Sequence, residues 1–499
     1  MTEATVEDVE GGLTLHSTTG RLALVATVGA SAMALLDATV VSVALPRIGA
    51  DFDANVSELQ WVLTGYLLAL ASLILLGGAL GDRFGRRRLL VIGTIWFAAA
   101  SLACGVAPTI GVLIGARVLQ GVGAALLTPA SLAILQATFR ADDRSAAVGA
   151  WSGLGGVAGA IGPLVGGWLV AGPGWRWAFL VNVPIAVLVV VFASAAVPET
   201  RDRHAAPDID CVGVALAVVG LASGTWALIE VRPRGGGDPI VLVAAAVAVV
   251  TLGSFVRHVR RVRNPLVPPA LFRRRRFTVM NLATALLYAA LGVAFFLVAY
   301  ELQVAAGWSP LRAGTALLPA TVLILLLSPS SGRLAQRIGP RVQLTVGPIV
   351  VAAGLLLLSR IGPHPTWRRD VLPGAIVFGL GLVTFVVPLT ATVMGAVGID
   401  RVSIASGVNN AVARTASLAA VAIVPVVSGL AVASGAAEVA HACGVALVIA
   451  AITAALASPV CFVGLSPRLA ARRSARKYVG PVDGPPLQPD PRRCPVAVR

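Results

Sequence analysis

Fourteen stretches of this sequence are apolar over roughly the length a helix needs to cross a lipid bilayer. A helix rises 1.5 Å per residue and the hydrocarbon core is about 30 Å thick, so one crossing takes about 20 apolar residues. The stretches cover residues 22–45, 62–81, 89–107, 110–133, 145–170, 177–197, 212–229, 239–256, 277–304, 313–331, 342–359, 371–393, 402–432 and 439–465. The bilayer core holds no water to satisfy backbone groups, so such stretches fold as helices that bond internally. The expected fold class is therefore an all-α integral membrane protein. Composition agrees, since 12% of the 499 residues are charged, about half the share found in soluble domains.

Several function classes are excluded by what the sequence does not assemble. Cys104, Cys211, Cys443, Cys461 and Cys494 are scattered without a CxxC pair, which supports neither a disulfide framework nor a zinc site. No HExxH occurs, and the one lysine, Lys477, precedes Tyr478. A phosphate-binding loop needs Gly-Lys-Ser/Thr, so no nucleotide is expected. No nucleophile–base or metal constellation appears either, so the chain is not expected to be an enzyme or to hold a cofactor or metal.

Charge placement sets an expected orientation. An even number of spans puts both termini on one side, and basic residues accumulate in cytoplasmic segments. With cytoplasmic termini, 29 basic residues fall inside and 8 outside, while Arg117 and Arg414 lie within spans. The net charge of +16 then reflects topology and attraction to anionic lipid, and nucleic acid needs no part in it. Residues 1–21 carry Glu3, Glu7, Asp8 and Glu10 and no basic n-region, so the first span is not a cleaved signal peptide. The loop 257–276 is rich in arginine and proline and is expected to lie along the membrane surface. Residues 466–499 hold eight basic residues and seven prolines and read as a disordered cytoplasmic tail.

An internal repeat divides the chain further. Gly78, Leu80, Arg83, Gly85 and Arg87 recur at an offset of 254 as Gly332, Leu334, Arg337, Gly339 and Arg341, in segments that both follow an inward-running span. Repeats of equal orientation fit two bundles related by an axis along the membrane normal. The expected organisation is a six-helix bundle over 22–198, two inserted helices and the basic loop over 199–276, and a second six-helix bundle over 277–465.

At these residues the chain resembles the major facilitator superfamily, and within it the fourteen-helix drug:proton antiporter branch, over residues 22–465. Gly78 to Arg88 is similar to the loop signature between helices two and three, and Arg117 to Gly123 to that of helix four. Gly153 to Gly167 is similar to the antiporter signature of helix five. Leu36 to Pro46 and Gln60 to Tyr66 resemble the fourteen-helix branch in particular. The resemblance implies a proton-coupled exporter of small amphiphilic compounds, a multidrug or antibiotic efflux permease of the bacterial cell membrane. It further implies a monomer working by alternating access, with a cavity lined by spans 1, 2, 4, 5, 9, 10, 12 and 13. Two alternatives stay open: a transporter of one metabolite or natural product, and a non-transporting membrane sensor.

Individual residues carry sharper expectations. Asp37 lies in a long apolar stretch, where a charge is costly and functional by default. Counted along their spans, Asp37 and Arg117 lie about 12 Å and about 10 Å below the outer face, so an ion pair is plausible. It is either a proton-coupling pair or a static structural one. Gly155, Gly159, Gly162 and Gly166 form one stripe with Pro163 beside it, either for tight packing or, as the resemblance implies, for a gate contacting helix ten. Gly78, Asp82, Arg83, Gly85 and Arg86 form a basic loop, and the resemblance implies a conformational latch through Asp82. Gln336 stands where the second copy would have the acid. Gln60, Gln120, Asn409, Asn410 and Arg414 are the candidate cavity residues. Glu301, at the outer end of its span, reads as an interfacial acid, or as the next candidate proton site after Asp37.

Overall fold

A computed structural model describes residues 12–202, 209–397, 402–430, 433 and 435–465. The long helices in the first half are α1 (Thr18–Phe52), α2 (Val56–Phe84), α3 (Arg86–Gly105), α4 (Ile110–Thr138), α5 (Ala141–Ala171) and α6 (Trp177–Ala196). Then come α7 (Cys211–Arg234) and α8 (Pro239–Val259). The second half holds α9 (Arg275–Val304), α10 (Leu318–Ile338), α11 (Pro340–Leu358), α12 (Leu372–Gly395), α13 (Val402–Val427) and α14 (Ala436–Gly464). A short helix, Pro310–Gly314, precedes α10. Among the described residues, thirteen helices are long and apolar enough to cross a membrane. The fifth expected stretch lies in α5, whose segment Ile161–Ala171 is a shorter apolar helix by the same measure.

Helix ends follow side-chain chemistry more than hydropathy. The apolar stretch of α1 stops near Leu45, yet the helix continues to Phe52 and closes on Asp53 in the left-handed conformation at φ 50°. Asn55 and Glu58 then form a reciprocal capping box, with Asn55 Oδ1 accepting from the Glu58 N–H at 3.0 Å and Glu58 Oε2 from the Asn55 N–H at 2.8 Å. That box satisfies two free donors and starts α2 six residues before its apolar run. Thr109 caps α4 and Asp238 caps α8 more simply, each side chain accepting from one backbone N–H, of Val112 and of Ile240.

The helices pack as two sets of six with the same internal plan. In the first, α1 packs on α5 and α6, α3 on α4 and α6, and α2 on α4. In the second, α9 packs on α13 and α14, α11 on α12 and α14, and α10 on α12. The sets meet through α2 with α13, α5 with α10, and α1 with α9. The repeat detected in the sequence sits at matching joints, because Gly85 and Gly339 link α2 to α3 and α10 to α11 at φ +117° and +78°. A side chain is strained at those angles, which explains glycine in both copies. The pair α7 and α8 packs on itself, and α7 leans on α2 and α13 along one flank of the seam. The tail 466–499 lies outside the described residues.

Candidate transport cavity and buried ion pair

A cavity of about 1650 Å³ separates the two sets of helices. Its walls come from α1, α2, α4 and α5 on one side and α9, α10, α12 and α13 on the other, the eight helices that the sequence resemblance implies. Tyr66, Trp151, Tyr288, Phe295, Phe296 and Phe378 give it an aromatic lining. Asn409, Asn410 and Arg414 line it, as expected for the cavity candidates on α13. Asn409 is held from behind, since its Nδ2 donates to Thr284 Oγ1 at 2.8 Å and Asn281 Oδ1 at 3.2 Å. The acids of the lining, Asp82, Asp202 and Asp210, all stand at the mouth, whereas Arg117 and Arg414 stand deeper. The volume exceeds a typical small-molecule pocket of about 300–1,000 Å³.

Asp37 is fully buried beside the cavity and does not line it. Its Oδ2 accepts from Arg117 Nη1 at 2.6 Å, and its Oδ1 accepts from Gln120 Nε2 at 2.8 Å and Asn182 Nδ2 at 3.0 Å. The matching depths counted along the sequence thus correspond to a direct ion pair between two fully buried side chains. Arg117 also donates Nε–H to the Val62 carbonyl at 3.0 Å and lies over the Tyr66 ring at 4.4 Å. Gln120 is a member of this cluster and not a cavity residue: its Nε2 donates to Ser101 Oγ at 2.7 Å. Its position three residues after Arg117 puts both side chains on one face of α4. Ser101 on α3 and Asn182 on α6 complete the cluster, and the sequence offered no sign of either. Such a cluster is worth most when every member is satisfied, yet Arg117 Nη2 and Asn182 Oδ1 have no partner.

Away from the mouth the two sets close on each other. Gln60 is buried and donates Nε2–H to the Val421 carbonyl of α13 at 2.8 Å, so it is a strut across the seam and not part of the cavity wall. Gln303 on α9 donates to the Val43 carbonyl of α1 at 2.9 Å. The glycines of α5 divide between two neighbours. A side chain at Gly162 or Gly166 would strike Thr39 or Val40 of α1, within the same bundle. The contact across the seam is made one residue further on, with Gly167 against Pro310 and Leu311, and Gly314 against the Pro163 carbonyl. Gly162 and Gly166 of the expected gate stripe thus pack on α1 within their own bundle, while Pro163 of the same stripe and the adjacent Gly167 meet the short helix before α10 across the seam. Gly155 and Gly159 belong to α5 but lie outside the residues whose surroundings are described.

A family model, Major Facilitator Superfamily, matches residues 27–422. The chain belongs to the major facilitator superfamily. A tetracenomycin C resistance and export protein of Streptomyces glaucescens is 31% identical over 375 residues, 75% of this chain and 70% of that protein. A puromycin resistance protein of Streptomyces alboniger is 33% identical over 409 residues, 81% of each. A multidrug resistance protein B homolog of Mycobacterium tuberculosis is 35% identical over 366 residues, 72% of this chain and 67% of that protein. Among solved structures, a peptide transporter in complex with sulfate matches with a TM-score of 0.65 at 15% identity, covering 94% of this chain and 98% of its own. At that identity the likeness concerns the fold alone.

In this superfamily member the joint between α2 and α3 is built around two acids. Asp82 Oδ1 accepts from Arg86 Nε at 2.9 Å and Nη2 at 2.7 Å, so this acid is engaged within its own joint. Arg83 lies over the Phe84 ring at 5.3 Å, and Gly78 lines the cavity. Glu199, which sequence reasoning missed, accepts from the backbone N–H groups of Arg87 at 3.1 Å and Arg88 at 3.2 Å. A carboxylate at the free donors of a helix N-terminus is favourable. The side chain of Gln336, at the matching joint of the second bundle, lies outside the described residues.

The mouth carries a further tie. Asp210 Oδ1 pairs with His258 Nε2 at 2.7 Å, and its carboxylate also accepts from the N–H groups of Gly213 at 2.8 Å and Leu266 at 3.2 Å. Burial pushes the carboxyl up, but the bonds from His258, Gly213 and Leu266 outweigh it and hold Asp210 below the usual carboxylate range. The basic loop expected on the membrane surface thereby turns inward, and Arg263 to Leu266 line the cavity mouth.

Proposed function

We propose that this protein is a proton-coupled exporter of small amphiphilic compounds, working by alternating access. The observation that carries the reading is the Asp37–Arg117 pair, sealed beside a large amphipathic cavity whose wall includes Arg117 itself. A proton on Asp37 cancels the charge that holds Arg117, while the Gln120 and Asn182 bonds keep the carboxyl in place. The freed guanidinium then reorganises the contact of α1 with α4 next to the cavity. The names of the resistance and export relatives support a drug-like cargo. We place the mouth at the cytoplasmic side with both termini, because the arginine-rich loops cluster there. The protein then stands in its inward-open form. It works as a monomer with no cofactor, driven by the proton gradient.

The cavity favours a cargo class. Arg414 stands in the lining, the nearby Asp37 is already engaged with Arg117, and a desolvated cation calls for a partner. Neutral, monocationic and acidic amphiphiles are preferred over dications, which would need two carboxylates the deep lining does not offer. Proton-driven uptake into inverted vesicles tests the whole reading. Wild type accumulates cargo in response to an imposed gradient, and Asp37→Asn inserts normally but does not. Full proton-driven transport by Asp37→Asn would remove the coupling role from this pair.

A further inference from the structure

Among the described residues, Glu301 is the other fully buried acid of a spanning helix, and it is built differently from Asp37. It lies three residues before the end of α9, fully buried, where the sequence alone reads it as an interfacial acid. Neither carboxylate oxygen has a hydrogen-bond partner. Among the described residues no basic side chain forms an ion pair with it, and the titratable group facing it is the Cys443 thiol of α14. Among the described residues no charged side chain compensates it. An ionised carboxylate would not persist there, because nothing compensates its lost hydration. The surroundings of Glu301 therefore suit the neutral, protonated carboxyl.

Its position ties that proton to the closed face. Two residues on, Gln303 makes the α9–α1 bond to the Val43 carbonyl at 2.9 Å. The chain then turns back, with the Trp308 N–H donating to the Leu302 carbonyl at 2.8 Å, and enters the short helix that packs on Gly167 of α5. Opening this face would break the Gln303 bond and move the end of α9, so that water would reach Glu301. The hydrated carboxyl gives its proton to water and becomes a carboxylate. Closing the face again would bury that carboxylate unpaired.

We propose that Glu301 is a second proton-binding site, which must take a proton from the adjacent aqueous phase before this face can close. The step is a plain protonation: a carboxylate oxygen forms an O–H bond with a proton delivered by water. The site adds to Asp37 an obligatory proton uptake at the far end of the cavity. The proposal rests on the alternating access proposed above but not on the direction of transport.

The test reads conformation, so it stands apart from export. Spin labels on Arg47→Cys and His364→Cys span the face, in the full-length chain with Cys211 and Cys494 replaced by serine. In wild type the distance distribution should shift from short toward long between mildly acidic and alkaline buffer. In Glu301→Gln, which mimics the protonated form, the short distance should persist throughout, whereas Glu301→Asp should keep the shift. Asp37→Asn, run in parallel, should retain the dependence that Glu301→Gln loses. A wild-type-like shift in Glu301→Gln, or no shift in wild type, would overturn the proposal. Infrared spectroscopy gives a second readout on the same proteins. The carbonyl stretch of a protonated carboxyl should weaken in Glu301→Gln relative to wild type, and an unchanged band would count equally against the site.

Discussion

At the scale of single residues, the protein separates a sealed ion pair from a half-buried cation that faces the cavity. Arg117 is compensated by Asp37 at 2.6 Å, by the Val62 carbonyl and by the Tyr66 ring. Truncating one partner of such a pair strands the other and costs about 3–5 kcal/mol. Arg117→Ala should therefore lower the yield of folded protein, whereas Asp37→Asn keeps the shape and two hydrogen bonds. That contrast makes the asparagine variant the cleaner probe of coupling. Arg414 is the opposite case, a cation in the cavity wall with a guest-sized space before it. A hydrogen bond to a charged group contributes about 1.5–3 kcal/mol, so losing it weakens binding by about tenfold or more. Arg414→Ala should thus reduce export of acidic substrates by that factor and of neutral ones much less, as measured in paired vesicle assays. Equal losses for both classes would make Arg414 a purely structural residue.

At the scale of elements, the strap at the cavity mouth is the most testable unit. Asp210 caps α7 and binds both His258, at the end of α8, and the backbone of Leu266. Its folded carboxyl titrates below the usual range, so its stabilisation is complete above the unfolded value and fades as pH falls through the folded one. Asp210→Ala should lower the thermal midpoint of the purified protein at neutral pH, by at least the cap contribution of about 1 kcal/mol. The difference from wild type should shrink only when the buffer is more acidic than the ordinary carboxylate range. A gap that is the same at both pH values would mean that the carboxylate's charge is not what holds the strap.

At the scale of the whole molecule, the two sets of helices share one packing plan, and the seam between them is closed at one end and wide at the other. The proposed orientation places the wide end in the cytoplasm. Single cysteines test it directly in intact cells lacking Cys211 and Cys494. His364→Cys, on the closed face, should react with an impermeant thiol reagent, and Arg263→Cys, at the mouth, should react only after the membrane is opened. Labelling of Arg263→Cys from outside would invert the topology and turn the inward-open form into an outward-open one.

The sequence by itself determined what the bilayer enforces locally. Lipid requires apolar runs of a set length and excludes unpaired backbone groups, so the helices, the fold class and the kinship between Gly78–Arg87 and Gly332–Arg341 were all legible in one dimension. The depth of Asp37 and Arg117 was legible as well, because rise per residue is constant along a helix. Tertiary structure decided the azimuth, that is, which neighbour each side chain meets. Gln60 and Gln120 are both polar residues in apolar helices, yet one braces the seam through Val421 and the other completes the Asp37 cluster. Gly166 packs on α1 and Gly167 on the short helix, although they are adjacent in sequence. Ser101 and Asn182 join the Asp37 cluster from helices far along the chain, and Glu301 is fully buried with Cys443 of α14 beside it. Those outcomes depend on how helices rotate and tilt against one another, and close packing of the assembled bundle sets that rotation.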